Sequence, residues 1–230
     1  MTDIERRLTA LSDEKFKKFS QSLLPDVENI LGVRLPVLQK IAMQEAKSDW
    51  KGFLNALSGN TFEERMLYGM TLGYAPVPFV ETLPYIEKFL PDIDNWSVCD
   101  SFCCRLKSIR KSPEEGWNLI RSLLRDEREF YKRTALVLML GHFVDKKHLN
   151  DILNAAGSFN DDRHYVYMAQ GWLLSVCAVK FPRNTYDFLK TARLSPQAFK
   201  QTLQKIRDSR RLSFEQKRRF CLLGKYQAKM

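Results

Sequence analysis

The stretch Tyr131-Lys132-Arg133-Thr134-Ala135-Leu136-Val137-Leu138-Met139-Leu140-Gly141 decides how the whole chain is read. Its apolar run reads as a helix buried on most sides, and a single cation, Arg133, stands just ahead of it. Two other stretches share this character. Trp96-Ser97-Val98-Cys99-Asp100-Ser101-Phe102-Cys103-Cys104 is poor in charge, with Trp96 and Asp100 as its exceptions. Val166 to Val179 is almost wholly apolar around Trp172. Trp96 to Arg133 is 37 residues and Arg133 to Trp172 is 39.

That offset is close to the roughly 40-residue period of HEAT-type helical repeats. Outward from these segments the periodicity stays helical. Breaks fall at Pro, Gly, Asn and Ser-rich points, and no convincing strand or hairpin appears. Helices are expected over 3–10, 13–24, 35–46, 48–58, 61–74, 78–89, 95–107, 113–124, 127–142, 146–156, 162–180, 183–192, 196–208 and 213–227. Pro36, Pro113 and Pro196 fall where a first helical turn tolerates a missing N–H. Ser112 and Ser195 precede two of them as N-caps, and Thr61-Phe62-Glu63-Glu64 reads as a capping box. The fold expected is all-α: an α-α superhelix, or solenoid, of HEAT-like antiparallel helix pairs, with residues 1–230 forming a single HEAT-like repeat domain. Equivalent positions in successive repeats line one face of a solenoid. Trp96, Asp100, Arg133 and Trp172 are therefore expected as neighbours on the concave surface.

Composition is that of a folded globular protein, with 44% hydrophobic and 28% charged residues among 230. No stretch approaches the roughly 20 apolar residues of a membrane span, and no signal peptide is visible at the N-terminus. The five cysteines, Cys99, Cys103, Cys104, Cys177 and Cys221, are an odd count that points to reduced thiols and a cytoplasmic location. Cys99, Cys103 and Cys104 read as buried structural thiols, because no histidine or second cysteine pair lies at ligand spacing. Charge is unevenly placed. Residues 1–100 carry 11 Lys/Arg against 15 Asp/Glu, a net of −4, and residues 101–230 carry 26 against 12, a net of +14. Such asymmetry points to a polyanionic partner, nucleic acid first, with a solvated basic surface as the alternative.

Trp96 and Asp100 are four residues apart and share a helix face. A carboxylate in so apolar a setting is costly unless paired or hydrogen-bonded, so an inter-helix ion pair stands beside a functional role for Asp100. Taken singly, Trp96 and Trp172 read as core aromatics and Arg133 as a structural charge or a phosphate contact; their common period raises the joint functional reading. Other chemistries fail. His142, His148 and His164 show neither metal-ligand spacing nor triad grammar, and no phosphate-cradling glycine loop occurs. The basic tail of Arg207, Arg210, Arg211, Lys217, Arg218, Arg219, Lys225 and Lys229 reads equally as phosphate contacts or as a solvated helix face.

At these residues the sequence resembles the AlkD family of alkylpurine DNA glycosylases, the DNA alkylation repair enzymes. The likeness rests on Trp96-x-x-x-Asp100, on Arg133 within Tyr131-Lys132-Arg133-Thr134-Ala135, and on Gly171-Trp172, in that order and spacing. Gly32-x-x-x-Pro36 ahead of the third helix and Ser195-Pro196 ahead of the penultimate one add to it. The resemblance covers nearly the whole chain. It implies a C-shaped array that grips duplex DNA containing alkylated purines and hydrolyses the N-glycosidic bond of N3- or N7-alkylpurines. Trp96 and Trp172 would line the lesion's deoxyribose, Asp100 would face C1′, and Arg133 would hold backbone phosphate. No cofactor or metal is implied. No lysine is placed for Schiff-base chemistry, so a monofunctional enzyme, acting as a monomer, is expected. The first helix is short against the family pattern, with about ten residues ahead of Ser12-Asp13, and two positions depart from it. Leu23 stands near the place where active members carry an aromatic residue facing the lesion, and Ser175 stands where a basic residue often follows the second tryptophan. A catalytically weak or inactive HEAT-like DNA-binding protein of the same family is therefore the alternative function, with a protein-interaction scaffold behind it.

Overall fold

A computed structural model describes residues 2–227; Lys225 and Lys229 lie outside the residues whose side chains are described. The fold is all-α. Among the described residues there are fourteen α-helices and no strand. In chain order these are α1 (Asp3–Ala10), α2 (Glu14–Leu23), α3 (Leu35–Ala46), α4 (Trp50–Ala56), α5 (Phe62–Tyr74), α6 (Phe79–Phe89), α7 (Trp96–Arg105), α8 (Pro113–Arg125), α9 (Glu129–His142), α10 (Leu149–Gly157), α11 (His164–Lys180), α12 (Pro182–Thr191), α13 (Pro196–Asp208) and α14 (Phe214–Gln227). Every helix expected from periodicity is present, with ends within a few residues. Short 3₁₀ turns at Leu90–Asp92 and Lys107–Lys111, which periodicity does not resolve, follow α6 and α7.

The helix starts follow from their sequences. Thr61 accepts the Glu64 N–H and receives the Glu64 carboxylate on its own N–H, the reciprocal box expected there. Ser195 Oγ accepts the Ala198 N–H, and Pro196 opens α13. α9 and α11 start on a different device that the two share. Asp126-Glu127-Arg128 and Asp161-Asp162-Arg163 each precede a helix, and in each the arginine folds back onto the aspartate two residues before it. Those hydrogen bonds from Arg128 hold the Asp126 carboxyl at about 2, and those from Arg163 hold Asp161 below the ordinary carboxylate range.

The chain divides into two compact units, Met1–Leu119 and Ile120–Met230. Within each, alternate helices pack side by side and the intervening ones cover them, which is the packing of an α-α superhelix. In the first unit α5 lies between α3 and α7; in the second, α11 lies between α9 and α13. The central helices are accordingly the most buried: α9 buries Tyr131 through Met139 without a break. The 37- and 39-residue offsets thus fall on every second helix, α7, α9 and α11.

Close approach in the second unit depends on a missing side chain. A Cβ at Gly171 would lie 2.9 Å from the Thr202 backbone nitrogen and 3.0 Å from the Gln201 carbonyl carbon on α13. Gly171→Ala should therefore push α11 and α13 apart and destabilise the protein by about 1–3 kcal/mol. Urea or thermal unfolding measures it, and an unchanged midpoint would show that the two helices have room to separate.

Candidate active site

α7 begins on a firm cap. Asn95 is buried, its side-chain oxygen accepts the Val98 N–H at 3.0 Å, and its amide donates to Asp94 at 2.7 Å. The cap fixes Trp96 as the first residue of the helix and places Asp100 one turn further on the same face. Both are half-buried, and both line one pocket of about 230 Å³ within the first unit. Its walls are α2, α3, the first turn of α5 and α7. They are apolar apart from the hydroxyls of Ser20, Ser97 and Ser101, and Asp100 is the one charged side chain lining it among the described residues. Burial pushes the Cys103 thiol up, and the neighbouring Cys99 and Asp100 add to it. Cys99 and Cys103 are buried as expected, whereas Cys104, one turn beyond Asp100, is exposed.

The mouth of this pocket carries residues that amphipathic patterning would leave as surface. Leu23 is 48% exposed and Phe19, one turn earlier on α2, is 56% exposed, yet both line the pocket. Leu23 and Phe19 thus form one exposed wall of the pocket, an aliphatic side chain beside an aromatic ring. The one sign of Phe19 in the sequence is its i, i+4 relation to Leu23.

α2 is held in place by a loop whose residue Val33 also lines the pocket. The buried Glu63 carboxylate accepts backbone N–H groups from Leu31 at 2.9 Å, Gly32 at 2.8 Å and Val33 at 3.2 Å. Gly32 has φ +92°, and its carbonyl accepts the N–H of Asp13, the cap of α2. Asp13 in turn accepts the Phe16 N–H and both Arg34 donors, which holds its carboxyl below the ordinary range.

The remaining expected residues lie in the second unit. Arg133 on α9 is only 5% exposed. Its guanidinium donates to the Tyr165 carbonyl at 3.0 Å, in the first turn of α11, and lies 5.9 Å from the Tyr165 ring centroid. Glu129 closes the same junction by accepting the Tyr165 N–H at 2.7 Å. Beside Arg133, Lys132 is buried between the Glu127 and Asp161 carboxylates, at 3.1 and 3.6 Å. Trp172, two turns along α11 from Tyr165, is half-buried. Ser175 is buried and turned back on its own helix, donating to the Trp172 carbonyl at 2.7 Å. The structure thus brings Trp96 and Asp100 together at one pocket and ties Arg133 to the helix that carries Trp172.

No helix among the described residues is long and apolar enough to cross a membrane. Comparison with curated proteins finds no match. The family model for DNA alkylation repair enzymes, by contrast, matches residues 4–206, from the first helix to the end of α13. With that match spanning most of its length, over the helices that carry Trp96, Asp100, Arg133 and Trp172, the chain belongs to the DNA alkylation repair enzyme family, whose work is DNA repair.

Proposed function

We propose that the protein is a monofunctional DNA glycosylase that hydrolyses the N-glycosidic bond of N3- or N7-alkylated purines in duplex DNA, with no metal or other cofactor taking part. One observation carries the reading: among the described residues, Asp100 is the single charge lining an otherwise apolar, hydroxyl-edged pocket that it shares with Trp96. An N3- or N7-alkylated purine is already cationic. When the C1′–N bond breaks, the bonding electrons leave with the base, which departs neutral and needs no general acid. The positive charge passes to the sugar as an oxocarbenium-like cation. A fixed carboxylate in a dry, low-dielectric setting stabilises that charge far more than water would. Water then adds at C1′ and gives up a proton, and the carboxylate is the group that orients it, as in glycoside hydrolysis. The face of Trp96 gives the developing cation a further favourable contact.

In this reading Trp172 takes the contact to the lesion's deoxyribose that the family resemblance implies for it. For Arg133, burial and the Tyr165 bond support positioning of α11; the phosphate contact is the part that the family implies. Residues 1–230 act as one HEAT-like repeat domain and as a monomer.

A base-release assay tests the proposal. Methylated duplex DNA is incubated with the protein and the freed bases are separated by chromatography; N7-methylguanine or N3-methyladenine is the expected product. One observation favours a second reading, a DNA binder of the same family without turnover: Leu23 stands on the exposed pocket wall, near the position where the family resemblance implies an aromatic ring. DNA binding that weakens steeply with salt, with no base released, would establish that reading instead.

A further inference from the structure

The family match ends at residue 206, and the strongest unassigned surface begins there. Residues 207–219 hold six Lys/Arg against two Asp/Glu. Of the two acids, Asp208 is taken up by the Gln204 amide, at 2.9 Å to each carboxylate oxygen. Arg219 lies over the Tyr186 ring, 4.3 Å from its centroid. Arg210, Arg211 and Arg218 are exposed and Lys217 is partly so, and none of the four makes an ion pair among the described residues.

In the middle of these cations stands Phe214, 82% exposed, the most exposed large hydrophobic side chain among the described residues. It is the first residue of α14, so Lys217 and Arg218 follow it at i+3 and i+4 on one helix face. Its backbone is fixed. Ser213 N–H donates to the Gln216 side chain at 2.9 Å, and Gln216 N–H donates back to Ser213 Oγ at 3.2 Å. The far face of the helix is anchored, with Phe220 buried against Tyr186 at a ring separation of 5.7 Å. A flat aromatic face held out by a rigid turn and ringed by cations that make no ion pair among the described residues has the chemistry of a base-stacking platform beside a phosphate track.

We infer that the end of α13, the 209–213 connection and the first turns of α14 form a second nucleic-acid surface that takes an unpaired stretch of DNA. A base stacks on Phe214, and Arg210, Arg211, Lys217 and Arg218 hold the flanking phosphates. The inference is independent of the glycosylase reading, because none of these residues lines the Asp100 pocket.

The test uses the full chain and fluorescence anisotropy, with a labelled oligothymidylate and a blunt-ended duplex of equal length. Phe214→Ala should weaken binding of the single strand about tenfold and leave the duplex within about twofold. The double variant Arg210→Ala with Arg211→Ala should flatten the salt dependence on the single strand, lowering the slope of log affinity against log salt by about 1.4. Both changes lie on exposed side chains, and circular dichroism checks that the fold is retained. Absence of single-strand binding by the wild type, or a Phe214→Ala loss that is nil or equal on both probes, overturns the proposal. So does binding of poly-glutamate or of anionic phospholipid vesicles with the same dependence on Phe214. Base release from a methylated blunt duplex, measured on the same Phe214→Ala protein, stays at the wild-type rate; a loss there would place Phe214 at the catalytic end and overturn the separate surface.

Discussion

Asp100→Asn should lower the rate of methylated-base release by about two to three orders of magnitude while leaving affinity for the same duplex within about twofold. The substitution keeps the size, the planar shape and one acceptor oxygen; it removes the charge and turns the other oxygen into an amide donor. What is lost is therefore stabilisation that exists only while the sugar is cationic. The ground state, a neutral deoxyribose beside a cationic base, depends on it far less. Single-turnover release with enzyme in excess separates this from slow product release, and anisotropy at matched salt gives the binding arm. Asp100 is the group on which this can be decided because no other lining residue among the described ones carries charge to replace it. Equal release rates for the two proteins would remove Asp100 from the chemistry. A parallel loss of rate and binding would make it a structural residue of α7.

How much of this was legible in the sequence depends on how local each interaction is. The helices were, because their signals lie within a turn or two: the Thr61–Glu64 box, Ser195-Pro196, and the apolar runs that became α7, α9 and α11. The pairing of Trp96 with Asp100 was legible for the same reason, being an i, i+4 relation. The pocket around them was not. Phe19 and Leu23 come from a helix some 75 residues earlier, and on patterning alone they belong to its exposed side. Arg133 shows the converse. A cation at the head of an apolar run reads equally as a surface contact or a structural charge, and only the position of Tyr165, 32 residues on, shows where its guanidinium goes. The repeat of Asp-x-Arg at 126–128 and 161–163 was visible as letters, but its meaning as a shared helix-start device needed the fold-back of each arginine.

The residue with the largest expected effect on stability was hidden by the same logic. Glu63 sits beside Glu64, whose capping role is written in the local sequence, yet it has no such local task. Its partners are three successive backbone N–H groups about 30 residues upstream, at Leu31, Gly32 and Val33. It is 1% exposed, so those donors have no water to turn to if the carboxylate is removed. Glu63→Ala should therefore cost about 4 kcal/mol, since several charge-assisted hydrogen bonds are lost at once and buried donors are left unsatisfied. For a chain of this length that corresponds to a fall in Tm of roughly 8–16 °C. Glu63→Gln should fall between, because the amide keeps one oxygen acceptor but turns a donor toward donors. The effect should also reach the pocket. The Gly32 carbonyl caps α2 through the Asp13 N–H, so freeing the loop loosens the wall that carries Phe19 and Leu23. At a temperature where Glu63→Gln is still folded, base release should then slow more than global unfolding accounts for, and hydrogen exchange in residues 13–24 should speed up relative to α9 and α11. An alanine variant that melts within a degree or two of wild type would mean that these N–H groups find other acceptors, and that the loop, not Glu63, holds the α2 wall.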